Sequence, residues 1–145
     1  MKKLFKKICI SSDHAGYVLK EKIKNYLISK SISVIDLGPH SESPVDYPDY
    51  AKKVAIRLSL KKSDAGILVC GSGTGMAITA NKFKGIRAAQ CYSKLSTILS
   101  RQHNNSNIIC LGSRMIKYKE AFKYVTYFLN TKFESGRHQK RISKI

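Results

Sequence analysis

Short apolar runs alternate with longer amphipathic stretches along the chain. Five runs are rich in β-branched residues and close at glycine or polar residues, which predicts β-strands; they are KKICISS, ISVIDLG, AGILVC, GIRAAQC and NIICLG. The stretches between them space their apolar residues three or four positions apart, which predicts helices with one buried face. The clearest faces comprise Leu19, Ile23, Tyr26 and Leu27, and Phe122, Val125, Phe128 and Leu129.

The order of these elements predicts an α/β fold. Strands that alternate with crossover helices form a parallel sheet with helices on both faces. We therefore expect a single-domain, three-layer α/β/α architecture with a Rossmann-like five-stranded parallel sheet over residues 1–145. The segment 39–49, PHSESPVDYPD, is predicted to be a loop because it holds all three prolines. The basic tail ESGRHQKRISKI predicts a short C-terminal helix.

Length and cysteine usage narrow the class of protein. No apolar run approaches the roughly 20 residues of a membrane span, and the ICI that follows MKKLFKK is too short for a signal-peptide core. We therefore expect a cytoplasmic protein with no membrane partner. The four cysteines are widely spaced and show no zinc-binding pattern. Cys9, Cys91 and Cys110 are expected to be buried, reduced thiols.

The chain is strongly basic, with 27 Lys and Arg against 9 Asp and Glu and a net charge of +18. A basic chain can bind nucleic acid, but these lysines are spread over every segment. The sequence shows no zinc finger, recognition-helix signature or basic stripe with interleaved aromatics. We interpret the charge as a lysine-rich surface and expect no nucleic-acid partner. The charge still attracts an anionic substrate.

Chemically active side chains follow three of the predicted strands. Asp13 and His14 come after the first strand, Cys70 ends the third, and the segment 112–114, which ends at Arg114, follows the fifth. Because the carboxyl ends of parallel strands share one edge of the sheet, we expect these residues to gather there. Asp13 can alternatively serve only as a helix cap.

The stretch AGILVCGSGTGMAITANK carries the most chemistry. Cys70 ends a strand and precedes a loop of alternating residues: Gly71, Ser72, Gly73, Thr74 and Gly75. Backbone N–H groups in such a loop converge on a phosphate or a developing oxyanion, and they favour a thiolate at a helix start. The loop is no Walker motif, and Ile78 stands where a dinucleotide fingerprint needs glycine. Alternatively, Cys70 is only the last apolar residue of a buried strand.

Two further groups of polar residues lie late in the chain. His103 and Asn104 stand where a helix gives way to the fifth strand, and a histidine there can move a proton near neutral pH. Arg137 and Arg141 share one face of the predicted tail helix, and together with Arg114 they suit a phosphate monoester. The alternatives are a solvated loop histidine and a frayed, basic terminus.

Taken in order, these segments resemble ribose-5-phosphate isomerase B and the related galactose-6-phosphate isomerase subunits over nearly the whole chain. The segments that carry the resemblance are SSDHAGYVLKEKI, DYPDYA, GILVCGSGTGMAITANKFKGIRAA, SRQHNNSNIICLGSR and GRHQKRI. The resemblance implies one sugar-phosphate isomerase domain over residues 1–145 that interconverts ribose 5-phosphate and ribulose 5-phosphate in the pentose phosphate pathway. It also implies homodimers or dimers of dimers with shared active sites, and neither metal nor organic cofactor.

The resemblance also implies roles for individual residues. Cys70 is the implied base that moves a proton between C1 and C2, and loop 71–75 holds the enediolate oxygen, with Ser72 assisting proton movement between the oxygens. His103 opens the furanose ring, and Asp13 helps to hold the sugar. The residues implied to line the sugar site are Tyr47 and Asn104. The implied phosphate clamp consists of His14, Arg114, Arg137 and Arg141.

Some members of this family lack the cysteine and use a glutamate a few residues on. Thr74 and Gly75 are not acidic here, so the cysteine version is implied. Three other functions stay open: an isomerase of a six-carbon sugar phosphate such as allose or galactose 6-phosphate, a nucleic-acid-binding protein, and a noncatalytic family member. The complete set of candidate site residues favours the ribose 5-phosphate isomerase.

Overall fold

A computed structural model describes residues 3–145 of the chain. Strands and helices alternate through this range, with five strands and six helices among the described residues. In chain order they are β1 (Ile8–Ser12), α1 (Tyr17–Ser29), β2 (Val34–Asp36), α2 (Tyr47–Ser59), β3 (Ala65–Cys70), α3 (Thr74–Ala80), β4 (Ala88–Gln90), α4 (Lys94–Gln102), β5 (Ile108–Gly112), α5 (Tyr118–Asn130) and α6 (Arg137–Ile142).

The five strands form one parallel sheet in the order β2-β1-β3-β5-β4. From β1 the chain moves outward to β2, whereas β3 starts the other half of the sheet, so the strand order reverses between β1 and β3. The carboxyl ends of these two strands border the crevice in which open α/β sheets bind ligands. The predicted α/β fold with a five-stranded parallel sheet and a C-terminal helix is confirmed.

Helices cover both faces of the sheet. Helices α1 and α5 pack on one face, where Ile67 and Phe128 lie in the core, and α2 and α3 pack on the other face with Val54 and Leu68. Successive strand residues point to opposite faces, which is why Ile67 and Leu68 enter different cores. None of the helices in residues 3–145 combines the length and the apolar character that a bilayer span requires.

The loop predicted over 39–49 is shorter than expected, because α2 begins at Tyr47. Pro48 stands in the first helical turn, where a missing N–H breaks no helical hydrogen bond. Asp49 lies in the same turn and complements the positive end of the helix dipole. Composition alone suggested that the proline excludes a helix here. The consequence is that Tyr47 is held by a helix.

Lys20 is a fully buried lysine on the core-facing side of α1. Its Nζ lies 2.7 Å from Asp36 Oδ2 at the end of β2 and 2.9 Å from Glu21 Oε1. Lys24 binds the same two carboxyl groups, at 2.9 Å and 2.7 Å respectively. A buried charge is tolerated when it is paired, so this network fastens the edge strand β2 to α1.

We predict that Asp36→Asn removes an acid-sensitive part of the stability. Partial burial raises the pKa of Asp36, but hydrogen bonds from Lys20, Lys24 and the Gly38 N–H outweigh it and lower the pKa from 3.8 to about 2. The carboxylate therefore stabilises the fold above pH 3.8, and this stabilisation is lost as the pH falls through about 2. Urea unfolding should show the variant less stable by about 2 kcal/mol at neutral pH, a gap that closes in acid.

Glu42→Gln is the control for this measurement, because Glu42 lies exposed in the loop between β2 and α2. It should stay within about 0.5 kcal/mol of the parent protein throughout. If the gap between Asp36→Asn and the parent stays constant down to pH 2, the ion-pair network does not contribute in the way described.

Candidate active site

A cavity of about 260 Å³, here called the Cys70 cavity, opens at the carboxyl ends of β1 and β3. Its walls come from four separate segments of the chain: the end of β1, the first turn of α2, the loop after β3 and the loop after β5. The lining residues are Asp13, Tyr47, Cys70, Gly71, Ser72, Gly75, Arg114 and Met115. Met115 is the one lining residue that sequence reasoning did not select, because no local pattern marks it.

Cys70 is the last residue of β3 and borders the cavity with 4% of its surface exposed. Its Sγ accepts a hydrogen bond from the Gly73 N–H at 3.0 Å. Gly73 has a φ of 82°, and a Cβ there would lie 3.1 Å from the Leu111 backbone, so glycine suits this position. The bond holds the sulfur beside the first turn of α3.

The glycine loop is braced by residues that sequence reasoning missed. The Ser72 carbonyl accepts hydrogen bonds from Gln90 Nε2 at 2.9 Å and from the Tyr92 hydroxyl at 3.2 Å. Gln90 also donates to Thr74 Oγ1 at 2.6 Å and contacts Tyr92. Ser72 Oγ in turn accepts a hydrogen bond from the Thr74 N–H at 3.2 Å. These contacts fix the loop from the end of β4, a proximity that only the folded sheet creates.

Two glycines let large side chains lie directly on the loop backbone. A Cβ at Gly75 would lie 2.6 Å from the Tyr47 ring, and a Cβ at Gly71 would lie 2.8 Å from Arg114 Nη1. The Tyr47 ring and the Arg114 guanidinium therefore pack against the loop backbone, and both line the Cys70 cavity. This arrangement places one aromatic ring and one cation beside the thiol.

Asp13 and His14 follow β1 at the same edge of the sheet. Asp13 is 8% exposed, lines the cavity and accepts a hydrogen bond on Oδ1 from the Gly16 N–H at 2.9 Å, directly before α1. Asp13 therefore accepts a backbone hydrogen bond at the start of α1 and also lines the cavity. His14 is exposed and is not a lining residue. Its Nδ1 accepts a hydrogen bond from the Val45 N–H at 3.1 Å, which fixes the loop that leads to α2.

Four predicted residues, here called the His103 group, lie at the opposite edge of the sheet: His103, Asn104, Arg137 and Arg141. Helix α4 runs back from the carboxyl edge and ends at Gln102, before β5 begins. Glu134 N–H donates to the Gln102 carbonyl at 3.1 Å and so holds the tail there. Cys70 pairs with Gly112 at the far end of β5, a strand whose five residues span roughly 13 Å. Within one chain the Cys70 cavity and the His103 group, here called the two candidate half-sites, lie apart.

One cluster of potential metal ligands adjoins the His103 group, since ligand atoms of His103, Glu134 and His138 lie within 4.8 Å of one another. The two imidazoles are stacked, with ring centroids 4.3 Å apart and 13° between their planes. Lone pairs of nearly parallel rings do not converge on one point, whereas zinc needs each nitrogen about 2.0–2.1 Å away. The arrangement suits ring stacking better than metal binding.

The fold and the cavity are those of a class of sugar isomerases. Residues 8–145 match the model of the Ribose/Galactose Isomerase family, and the chain belongs to that family. Ribose-5-phosphate isomerase B of Escherichia coli is 44% identical over 97% of this chain and 94% of its own length. The crystal structure of the Thermotoga maritima ribose 5-phosphate isomerase is 53% identical, covers 95% of each chain and superposes with a TM-score of 0.93.

A third relative is the structure of ribose-5-phosphate isomerase B from Mycoplasma genitalium with bound ribulose 5-phosphate. It is 45% identical, covers 95% of this chain and 92% of its own, and superposes with a TM-score of 0.90. The family resemblance drawn from the sequence is thus confirmed.

We predict that Cys70 is the first thiol to react with iodoacetamide in the folded protein. Cys70 borders the cavity, whereas the other three cysteines are fully buried. Burial raises the pKa of the Cys9 thiol to about 11 and also raises the pKa values of Cys91 and Cys110. Peptide mass mapping after brief labelling near neutral pH should show Cys70 reacting at least about tenfold faster.

Labelling after unfolding in urea is the control, and all four thiols should then react at similar rates. Equal labelling of the four cysteines in the folded protein would contradict the position of Cys70 at the cavity.

Proposed function

We propose that this chain is an aldose–ketose isomerase that interconverts D-ribose 5-phosphate and D-ribulose 5-phosphate in the pentose phosphate pathway. The observation that carries the proposal is the Cys70 thiol, held by the Gly73 N–H inside a cavity that also contains a carboxylate and a guanidinium. Relatives named ribose-5-phosphate isomerase B, and the ribulose 5-phosphate bound to one of them, support the choice of substrate.

The proposed chemistry is a proton transfer within one substrate molecule. The Cys70 thiolate removes the C2 proton of the open-chain aldose, and the C–H electron pair forms the C1–C2 double bond of an enediolate. Backbone N–H groups of loop 71–75 stabilise the oxyanion that develops on the former carbonyl oxygen. Ser72 assists proton movement between the two oxygens, and Cys70 returns its proton to C1. The reaction is internally redox-neutral, so it needs no redox cofactor. The loop N–H groups take the role that a metal ion could otherwise serve at the oxyanion, so the proposed mechanism uses neither metal nor organic cofactor.

The separation of the two half-sites supports a homodimer, or a dimer of dimers, with shared active sites. A single chain cannot bring both half-sites to one pentose phosphate, because a whole strand lies between them. Exposed apolar side chains, among them Ile78 on α3 and Leu95 on α4 at 59% and 66% exposure, offer a surface for a second copy. The second copy would then supply the His103 group.

In this assembly the remaining residues take defined roles. His103 opens the furanose ring by moving a proton at the ring oxygen, and Asp13 holds the sugar hydroxyls. Tyr47 and Asn104 line the sugar site. The phosphate is bound by four cationic or donor side chains: His14, Arg114, Arg137 and Arg141.

Residues 1–145 are proposed to act as one isomerase domain in the cytoplasm. All four cysteines are free thiols, which suits a reducing compartment. The lysine-rich surface is proposed to attract the anionic substrate, with neither nucleic acid nor membrane as a partner.

We predict that Cys70→Ala abolishes isomerisation and leaves substrate binding almost unchanged. The base is lost, while the loop, Asp13 and Arg114 remain, so kcat for ribose 5-phosphate should fall at least about a thousandfold. Calorimetry should show the Kd for the same sugar phosphate within about threefold of the parent. A coupled assay of the purified protein measures the turnover.

Cys91→Ala is the matched control, because this thiol lies in the core away from the cavity, and it should keep the parental kcat. Near-parental turnover by Cys70→Ala would refute its role as base.

The same assay includes allose 6-phosphate and galactose 6-phosphate. A higher kcat/KM on either would replace the proposed substrate, and no turnover on any of the three sugars would refute the isomerase.

We predict that two variants, each with one impaired half-site, complement each other when the sites are shared. Cys70→Ala and Arg137→Ala carry defects in different half-sites, so a mixed dimer contains one site with both intact halves. Equal mixing with full subunit exchange should restore about a quarter of the parental activity, since half of the dimers are mixed and each has one good site. Mixing Cys70→Ala with Ser72→Ala is the control, because both defects lie in the same half-site. No recovery in the first mixture would contradict shared sites.

A further inference from the structure

A buried histidine lies directly behind His103. The His138 ring is 7% exposed and stacks on the His103 ring, with centroids 4.3 Å apart and 13° between the planes. Arg137 and Arg141, on the same short helix, are exposed. Helix α6 therefore turns its guanidinium groups outward and its imidazole inward, toward the end of α4.

The segment that carries His138 is fastened to the end of α4 at two points. Glu134 N–H donates to the Gln102 carbonyl at 3.1 Å, and Arg101 Nε donates to the Thr131 carbonyl at 3.1 Å. Arg101 is itself buried, so the second contact is shielded from water. The two histidine rings therefore belong to one rigid unit, and their stacking does not depend on the mobility of a terminus.

The surroundings of His138 favour its uncharged form. Burial lowers its pKa below the ordinary value of 6.5, and the neighbours His103, Arg137 and Arg141 act in the same direction, whereas Glu134 opposes them. Glu134 Oε2 lies 3.7 Å from His138 Nε2. An uncharged His138 ring does not repel the His103 ring, whether the His103 ring is neutral or protonated. A residue that transfers protons passes through both forms, so its neighbour must tolerate both.

Among residues 3–145, no side-chain hydrogen bond fixes the orientation of the His103 ring, and the flat contact with His138 restricts its rotation. We propose that His138 is a positioning residue that holds the His103 imidazole in the orientation needed to open the sugar ring. The inference rests on the proposed function, which assigns ring opening to His103. Catalytic side chains need such support, because a small misorientation costs a large part of the rate.

The test compares His138→Ala, which removes the stacked ring, with His138→Phe, which keeps a flat ring but cannot titrate. On ribose 5-phosphate, His138→Ala should lower kcat at least about tenfold with KM within about threefold, and His138→Phe should stay within about threefold of the parental kcat. Gln139→Ala, the next position of α6, is the control and should match the parent. Thermal unfolding of each variant checks that it is folded.

Two kinetic outcomes would overturn the proposal. Equal losses of kcat in the Ala and Phe variants, both folded, would show that a flat ring is not what matters. A raised KM with unchanged kcat would show that His138 acts on phosphate binding through its neighbouring arginines instead.

A measurement that needs no turnover separates this proposal from the proposed function. In NMR spectra of histidine rings, the His103 C–H signals should carry the ring-current shift of a stacked neighbour in the parent and in His138→Phe, and lose it in His138→Ala. Absence of that shift in the parent would refute the positioning role whatever the activity. A stacked parent without isomerase activity would refute the proposed function and leave the positioning geometry standing.

Discussion

The hydrogen bond from the Gly73 N–H to the Cys70 sulfur is the contact on which the candidate site depends. It forms because β3 ends at Cys70 and the chain then turns through a left-handed glycine into α3 within three residues. The same turn exposes the loop backbone to the cavity, so the proposed base and the proposed oxyanion donors come from one segment. Anything that moves this loop moves both, which explains why Gln90 and Tyr92 brace it from the far side.

The parallel sheet imposes a second constraint, since it places residues that follow strands at one edge and residues that precede strands at the other. Cys70, Asp13 and Arg114 follow strands, whereas His103 precedes β5 and the tail is tied to it. No local rearrangement brings these ends together, because the strand between them is rigid. A monomer therefore carries both halves of the proposed chemistry and cannot unite them. The proposed chemistry therefore calls for assembly, beyond any gain in stability.

Much of the fold was predictable from the sequence, because the period of the apolar residues directly reports strands and helices. The gathering of Asp13, Cys70 and Arg114 was predictable for the same reason, since it follows from strand direction alone. The start of α2 at Tyr47 was missed, because a proline-rich segment was predicted to be a loop. Proline is in fact tolerated in the first turn of a helix. The burial of Lys20 was missed, because its carboxylate partner Asp36 is distant in sequence.

The residues around the His103 group illustrate the same limit. The sequence marks Arg137 and Arg141 by their helical spacing, but the histidine between them reads as one more polar residue in a basic tail. Its inward orientation follows from the contact between the tail and the end of α4, which joins segments about thirty residues apart. The local sequence pattern identifies side chains that are themselves chemically active. A side chain that acts by positioning a neighbouring residue can be identified only from the folded structure, which shows the two in contact.

The distribution of the nine acidic residues shows how a chain with a net charge of +18 accommodates an anionic substrate. Glu21 and Asp36 neutralise buried lysine, and Asp64 accepts hydrogen bonds from the backbone of Lys6 and Lys7. Asp13 is the one acid among the residues that line the Cys70 cavity, and its Oδ1 accepts a hydrogen bond from the Gly16 N–H. Glu21, Asp36 and Asp64 thus stabilise the fold, and the large excess of basic side chains keeps the potential of the surface positive. Because salt screens such potentials, the attraction between the protein and the substrate acts only over about a Debye length. The final orientation of the sugar therefore depends on short contacts inside the cavity.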